Sequence, residues 1–135
     1  MSIAIAYIPS GYTPEQKKIM IEGTKKGCME GMNLPAQFAY VMVHEISPEN
    51  MDEMTYGMKC LFIYTTHGKR PQGKNIIAKA FDDACAAAFG DEKGQTYVIF
   101  KEHHDENVGD NGFLRPFSPG YANFNPGTAL GSEKK

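Results

Sequence analysis

The sequence contains YIPSGYTPEQKKI at positions 7–19 and, 57 residues further on, YTTHGKRPQGKNI at positions 64–76. The two stretches align without a gap, and the same shift continues to match residues further along the chain. The identical pairs are Tyr7 and Tyr64, Gly11 and Gly68, Pro14 and Pro71, Lys17 and Lys74, Ile19 and Ile76, Cys28 and Cys85, Tyr40 and Tyr97, Val41 and Val98, Glu45 and Glu102, Glu49 and Glu106, and Asn50 and Asn107. A repeat of this length is a whole supersecondary unit, so the chain is predicted to fold as two similar halves. Positions at which the copies differ are free to have specialised.

Each repeat is predicted to be a strand, a helix and a second strand. Residues 2–8 alternate larger and smaller side chains without a breaker, and residues 39–45 form a similar run. Between them, Thr13 is a helix N-cap, Pro14 suits the first helical position, and Gln16 can reach back to the Thr13 amide. The segment 33–35, Asn-Leu-Pro, is predicted to end this helix.

The second repeat has the same order, with strands at 59–65 and 95–101 and a helix over about 72–89. The first helix carries a row of mostly small residues at every fourth position: Ile19, Gly23, Gly27 and Gly31. Such a row allows close backbone approach, at a cost of about 1 kcal/mol per glycine in helix propensity. We expect this row to lie against a sheet. Because the second helix presents isoleucine, alanine and phenylalanine instead, the two helices are expected to face different neighbours.

These elements predict an α/β (α+β) domain with a tandem β-α-β repeat, a four-stranded mixed sheet and two helices on one face. The single domain divides into repeat 1 at 1–57, repeat 2 at 58–112 and a C-terminal arm at 113–135. The arm is expected to wrap a neighbouring subunit or to end as a loose tail. A chain of 135 residues has nothing left to cover the other face of the sheet, so an oligomer is expected.

Composition restricts the classes of partner. The chain has 14 basic and 16 acidic residues and no lysine-rich block, which argues against nucleic acid. No apolar run approaches the ~18 residues of a membrane span, and the N-terminus lacks the pattern of a signal peptide. Three cysteines, an odd number, favour a reducing compartment over a disulfide framework. The expected location is therefore cytoplasmic, and no cofactor is expected.

A duplicated β-α-β unit whose first helix opens with Thr-Pro-Glu-Gln-Lys at 13–17 resembles the tautomerase superfamily. The segment Tyr-Val-Ile-Phe-Lys-Glu at 97–102, followed by Asp-Asn-Gly-Phe-Leu at 110–114 and Ser-Pro-Gly at 118–120, is similar to the branch that contains cis-3-chloroacrylic acid dehalogenase. The similarity runs from residue 2 to about residue 120. It implies a tautomerase/MIF-like fold, a homotrimer, and active sites at one end of the sheet near the first strand.

The resemblance also implies a base at the N-terminus, where members of the family use the amine of a proline. Ser2 stands at that position in this chain, or Met1 when residues are counted without a gap from Thr13. An α-amino group of Ser2, freed by removal of methionine, would have a reference pKa of about 7.7–8.0, which suits a general base. A primary amine could also form a Schiff base with a carbonyl substrate.

Other family positions fall on different residue types. The helix histidine falls on Cys28, the water-activating carboxylate on Asp110, and the tyrosine near the end of the last strand on Ile99. The substrate-binding arginines fall on Arg70, with Lys69 beside it. The catalytic candidates are therefore Ser2, Cys28 and Asp110, and the substrate-binding candidates are Arg70 and Lys69.

The residues themselves allow a second interpretation of each candidate. The loop before a helix is where open α/β sheets bind anions, and the guanidinium of Arg70 could hold a carboxylate there, although it could equally be solvated. Asp110 lies in a Gly- and Asn-rich turn that it could simply help to form. Cys28 has a repeat partner in Cys85 and is more typical of a packing residue. Adjacent histidines at 103 and 104 point in opposite directions on an extended chain, so no metal site is predicted there.

Two functions remain open at this point. The first is a tautomerase- or dehalogenase-like enzyme, an isomerase or a hydrolase/lyase, that acts on a small carboxylate, enol, keto or unsaturated acid. Because general acid–base groups contribute about 10²–10⁴-fold each, proline-based activity is expected to be weak or lost. The second is a non-catalytic oligomeric binding or scaffold protein that has kept the fold.

Overall fold

Six strands and two helices make up the computed structural model, which describes residues 1–90 and 94–119. The main strands are β1 Ser2–Pro9, β2 Ala39–Ile46, β3 Lys59–Thr66 and β4 Thr96–His103. The helices are α1 Pro14–Met32 and α2 Pro71–Phe89, and a short hairpin follows as β5 Gly109–Asp110 and β6 Phe113–Leu114. Each predicted strand and helix is present, with bounds that differ from the prediction by one or two residues.

The four long strands form one mixed sheet in the order β2-β1-β3-β4. Strands β1 and β2 are parallel, β3 and β4 are parallel, and the two repeats join through the antiparallel pair of β1 and β3. Both helices contact each other extensively and cover one face of this sheet. The predicted fold class is confirmed.

Local sequence signals set the ends of α1. Thr13 accepts from the amide of Gln16 at 3.1 Å, and the Gln16 side chain accepts from the amide of Thr13 at 2.9 Å. This reciprocal capping box satisfies two amides that a helix start leaves unpaired. Asn33 ends the helix in the left-handed conformation with φ 49°, which asparagine tolerates better than most residues.

The glycines of α1 lie against α2 and not against the sheet. A Cβ atom added to Gly27 would come within 2.3 Å of the Ala80 Cβ, and one added to Gly31 would come within 2.5 Å of the Gly73 carbonyl oxygen. The expectation that this row faces the sheet is wrong, and so is the expectation that the helices have different neighbours. Two helices on one face of a four-stranded sheet must meet, and matched small residues let them do so closely.

The duplication extends to side-chain contacts. Lys17 of α1 pairs with Glu45 of β2 at 2.9 Å, and the equivalent Lys74 of α2 pairs with Glu102 of β4 at 2.8 Å. Each pair joins the first turn of a helix to the end of the strand that follows it. The two repeats therefore share the ion pair that joins the start of the helix to the following strand.

The second face of the sheet is apolar and open. The strand registers align its side chains in three rows across the four strands. These rows are Tyr40, Ile3, Tyr64 and Lys101; Met42, Ile5, Phe62 and Ile99; and His44, Tyr7, Cys60 and Tyr97. Large members of each row are strongly exposed, with 48% of Met42 and 57% of Tyr97 accessible. An exposed apolar surface of this kind is typical of an interface.

Residues 109–119 of the C-terminal region fold back beside the end of β4. Strands β5 and β6 form a hairpin, and the Arg115 amide donates to the Val108 carbonyl at 2.8 Å. Residues 120–135, the rest of the predicted arm, lie outside the described residues. In the part of the chain that the structure describes, neither helix is long and apolar enough to cross a membrane.

Candidate active site

The N-terminus lies at the end of the sheet where β3 and β4 finish. Ser2 pairs with Thr65, so extending the antiparallel register by one residue brings Met1 level with Thr66. Thr66 pairs in turn with His103, the last residue of β4. The β3–α2 loop and the turn after β4 leave the sheet at this same end. Groups distant in sequence therefore surround the first residue.

The α-amine of Met1 is the most strongly perturbed group at this end. Its pKa falls from 8.0 to about 6, because burial and, to a smaller extent, the positive charges of Lys69 and Arg115 lower it, while the Asp105 carboxylate opposes them. With a pKa near 6, roughly 90% of the amine is the neutral base at pH 7, against roughly 10% for an ordinary amine of pKa 8. At pH 7 the amine is therefore mostly in the neutral form, which is the form that can accept a proton.

Lys69 is the buried cation beside this amine. Only 6% of Lys69 is exposed, and burial lowers its pKa although Glu102 and Asp105 counteract that effect. The loop that carries it is fixed by Glu102. Burial alone would raise the pKa of Glu102, but the hydrogen bond and charge of Lys74 and the backbone amides of Gly68 and Lys69 hold it below its usual value. Glu102, which is paired with Lys74, therefore also fixes the backbone of the loop that carries Lys69.

Arg115 and Asp105 form the second charged pair at the site. Their side chains are 11% and 14% exposed, and the Arg115 Nε lies 3.7 Å from an Asp105 carboxylate oxygen. Asp105 begins a 3₁₀ turn after β4, and Arg115 follows the β5–β6 hairpin. The fold-back of residues 109–115 therefore delivers a guanidinium to the end of the sheet. Such a group can bind a carboxylate through two parallel hydrogen bonds.

His103 is a further titratable group near the amine. Burial lowers the pKa of His103, the Asp105 carboxylate opposes that change, and the positive charge of the N-terminus adds to it. The mutual repulsion of the amine and the imidazolium favours states in which at most one of them is charged. The site therefore holds two groups that prefer to be neutral near pH 7.

A cavity of about 600 Å³ opens beside Met1. Its walls are mainly apolar side chains of β1, β2 and α1, and Asp110 of β5 contributes a carboxylate. Lys25 also borders the cavity, with its ammonium bound to the carbonyl of Ala36 at 2.7 Å and to that of Ala39. The volume suits a small organic molecule. Met1 and Asp110, which are more than 100 residues apart in sequence, border the same space.

The structure separates the five candidates taken from the sequence. Ser2 and Cys28 are each 1% exposed; the Ser2 hydroxyl has no hydrogen-bond partner among the described residues, and burial raises the pKa of Cys28 to about 12. Arg70 is exposed at the start of α2, whereas Lys69 is buried beside the amine. Asp110 lines the cavity next to Met1. A thiol with so high a pKa lacks the thiolate that a nucleophile needs.

Two contributors to the site were not among the candidates. Neither Asp105 nor Arg115 was singled out from the sequence. A usable signal did exist for Arg115, because it is one of only two arginines in the chain. The hairpin of residues 109–114, which folds it back, could not be anticipated from the Gly- and Asn-rich composition alone.

Comparisons with solved structures identify the fold. The chain superposes on a symmetric trimer form of fused 4-OT with a TM-score of 0.75 at 16% identity, covering 83% of this chain and 94% of that one. It matches malonate semialdehyde decarboxylase with a TM-score of 0.70 at 15% identity, covering 90% and 96%. It matches the macrophage migration inhibitory factor of Toxoplasma gondii with a TM-score of 0.66 at 18% identity, covering 81% and 96%.

These matches show that the chain has the tautomerase/MIF fold. Neither the known sequence families nor the curated protein sequences contain a match to it. At such identities the likeness extends to the fold, and the activity is to be argued from the residues at the site. The similarity to the cis-3-chloroacrylic acid dehalogenase branch stays a prediction.

Proposed function

We propose that the protein is a tautomerase-like enzyme that interconverts enol and keto forms of a small carboxylate, with the N-terminal amine as general base. The observation that carries this proposal is the amine itself, whose pKa of about 6 lies below neutrality because of burial and the positive charges of Lys69 and Arg115. A catalytic base works best when its pKa lies near the operating pH. The fold supports the same class of chemistry by analogy with its structural neighbours.

Each charged group has a distinct task in this reaction. Lys69 and Arg115 bind the substrate carboxylate. Its negative charge offsets their positive charges, which otherwise lower the pKa of the amine. The neutral amine takes a proton from the enol or from the carbon beside the carbonyl. Asp110, across the cavity, returns or accepts the second proton. Arg70, which the resemblance nominates as the anion site, stays an alternative binding residue at the rim of the same loop.

We further propose that the protein assembles as a homotrimer through the open face of its sheet. Fused 4-OT is described as a symmetric or an asymmetric trimer, and it has the fold of this chain. The three apolar rows provide the surface that further copies would cover. Replacing Met42 or Ile99 in the central row with aspartate should convert the assembly to monomers in sedimentation experiments. Wild-type protein that sediments as a monomer at micromolar concentration would contradict the trimer.

The decisive assay follows enol-to-keto conversion of a small aryl enol carboxylate by ultraviolet absorbance. Intact mass first shows whether the amine belongs to Met1 or, after methionine removal, to Ser2. We expect turnover that rises with pH through about 6, because the amine must lose its proton to act. A Ser2→Pro protein that has lost its initiator methionine is the reference for a proline base. Activity in that variant alone would favour a non-catalytic role for the natural chain.

The anion site is tested by two matched arginine substitutions. Replacing Arg115 with glutamine should raise KM by about 10- to 100-fold, the loss expected for one charge-assisted hydrogen bond. The same change at Arg70 should have a smaller effect, because Arg70 is exposed. A larger rise in KM for the Arg70 variant than for the Arg115 variant would instead assign carboxylate binding to Arg70. Lys18→Ala, on the exposed surface of α1, controls for the loss of a positive charge.

A further inference from the structure

A second cavity lies at the end of the sheet opposite Met1, where β1 ends and β3 begins. The linker of residues 47–58 joins β2 to β3 and passes the end of β1, because β1 lies between those two strands in the sheet. Residues of this linker and of the open face enclose a space of about 370 Å³, which is within the range of small-molecule sites. The described residues that line it are all different from those of the candidate active site.

Aromatic rings form one wall of this cavity. Tyr7 and Phe62 both line it, and their rings meet edge to face with centroids 5.4 Å apart. Met51 and Met58 contribute thioethers, which adapt to irregular apolar ligands and make favourable contacts with rings. An aromatic ring also attracts a cation that lies over its face within about 6 Å. The walls therefore suit a ligand that is apolar in bulk and positively charged.

Asp52 is the one charged side chain among the described residues that line the cavity. Its Oδ1 atom accepts hydrogen bonds from the amide of Met54 at 2.9 Å and from the amide of Thr55 at 3.1 Å. These bonds fix the carboxylate at the start of a 3₁₀ turn. Its Oδ2 atom has no hydrogen-bond donor among the described residues, so it is available to a ligand.

The charge of the chain around the cavity has the same sign. Residues 46–58 contain three carboxylates, those of Glu49, Asp52 and Glu53, and neither lysine nor arginine. The next residue, Lys59, points toward the helix-covered side of the sheet, where its ammonium lies 5.6 Å from the centroid of the Tyr12 ring. A surface with one sign of charge raises the local concentration of ligands of the opposite sign.

We propose that this cavity binds a small organic ammonium ion, such as a trimethylammonium compound. Its cationic nitrogen lies between the Asp52 carboxylate and the Tyr7–Phe62 pair, and its alkyl groups contact the rings and the two methionines. The inference goes beyond the proposed function and does not depend on it. The two sites differ in charge as well as in position, because one would take a carboxylate and the other a cation.

A pair of matched ligands tests the requirement for charge. Choline and 3,3-dimethylbutan-1-ol have the same shape and the same hydroxyl group, but only choline is charged. Each is titrated into the wild-type protein, and binding is followed by calorimetry and by the NMR signals of the methionine methyl groups. We expect choline to bind at least about tenfold more tightly than the alcohol, with shifts at Met51 and Met58. Equal affinity, or no binding of choline at about 10 mM, would overturn the proposal.

Matched variants test the position of the site. Asp52→Asn keeps an oxygen for the amides of Met54 and Thr55 but removes the charge, so it should weaken choline binding by about five- to tenfold. Glu53→Gln removes a charge from the same turn but does not line the cavity, so it should change the affinity by less than about twofold. Equal losses in the two variants, or no loss in Asp52→Asn, would overturn the assigned site.

Phe62→Leu tests the aromatic wall. It should weaken the binding of choline more than that of the alcohol, because leucine keeps an apolar contact and removes the ring that attracts the cation. Phe62 also belongs to the open face, so sedimentation of each sample shows whether the assembly has changed. If it has, Asp52→Asn, which lies in the linker and not on that face, decides the question alone. Undiminished selectivity for choline in a Phe62→Leu protein of unchanged assembly would overturn the proposed contact with the rings.

Discussion

Replacing Lys69 with methionine should raise the pKa of the Met1 amine. Burial is the largest cause of the depression from 8.0 to about 6, and Lys69 is the largest charge that contributes. Methionine keeps the apolar stem of the side chain and removes its charge, leaving the Asp105 carboxylate to act unopposed by Lys69. We expect an increase of roughly half to one pH unit, or about 0.7–1.4 kcal/mol at 1.36 kcal/mol per unit. The neutral fraction at pH 7 should fall accordingly.

Competitive acetylation measures this pKa without reference to activity. The rate at which limiting acetic anhydride modifies the Met1 α-amine is followed from pH 5 to pH 9 by mass spectrometry of the N-terminal peptide. Wild type should show a midpoint near 6, Lys69→Met a higher midpoint, and the exposed-charge control Lys18→Met the wild-type value. The acidic limb of the pH–rate profile should shift by the same amount. A wild-type midpoint near 8, or no shift in Lys69→Met, would refute the electrostatic reasoning.

Three further predictions concern packing, thiol reactivity and stability. Gly27→Val should lower the free energy of unfolding by about 2 kcal/mol, because the new side chain collides with Ala80. Urea titrations should show that Ala80→Gly in the same chain restores part of this loss. In native protein an aromatic disulfide reagent should leave Cys28 unmodified, because Cys28 is 1% exposed; rapid reaction of Cys28 would show that the core opens. Between about pH 6 and pH 8 the unfolded state binds more protons at the Met1 amine than the folded state does, so stability should rise with pH across that window in thermal unfolding.

The fold could be predicted because its signals are local and occur twice. The Thr13 capping box, the left-handed Asn33 and the alternation in each strand act within a few residues, and the repeat supplied an independent check. The contact between the helices could not be obtained in this way. A glycine row shows that something approaches closely, but its partner is set by tertiary packing.

The candidate site was predictable only in part, because its members come from four separate segments. The resemblance nominated Lys69 and Asp110, and both remain proposals as functional residues. Arg115 and Asp105 join the site through the fold-back of residues 109–119, which leaves little trace in the sequence. Cys28 was nominated by position alone, and burial in the core makes a nucleophilic role chemically implausible.

The positions at which the two repeats differ explain why only one end of the sheet is proposed to react. The repeat places Lys59 opposite Ser2 and Tyr12 opposite Lys69. At the far end, the Lys59 ammonium is fully buried, 5.6 Å from the Tyr12 ring centroid and 5.5 Å from that of Phe89. Those rings lie 4.0 Å apart, so the space is filled by a cation–π cluster.

At the near end the strand begins with a free amine, and the loop supplies a cation in place of the aromatic ring. Under the proposed function, Lys69 and Arg115 at this end bind the substrate carboxylate. The exchange of the Tyr12 ring for the Lys69 charge at one loop position thus distinguishes the far end of the sheet, which is filled on its helix-covered side, from the near end, where we propose the active site.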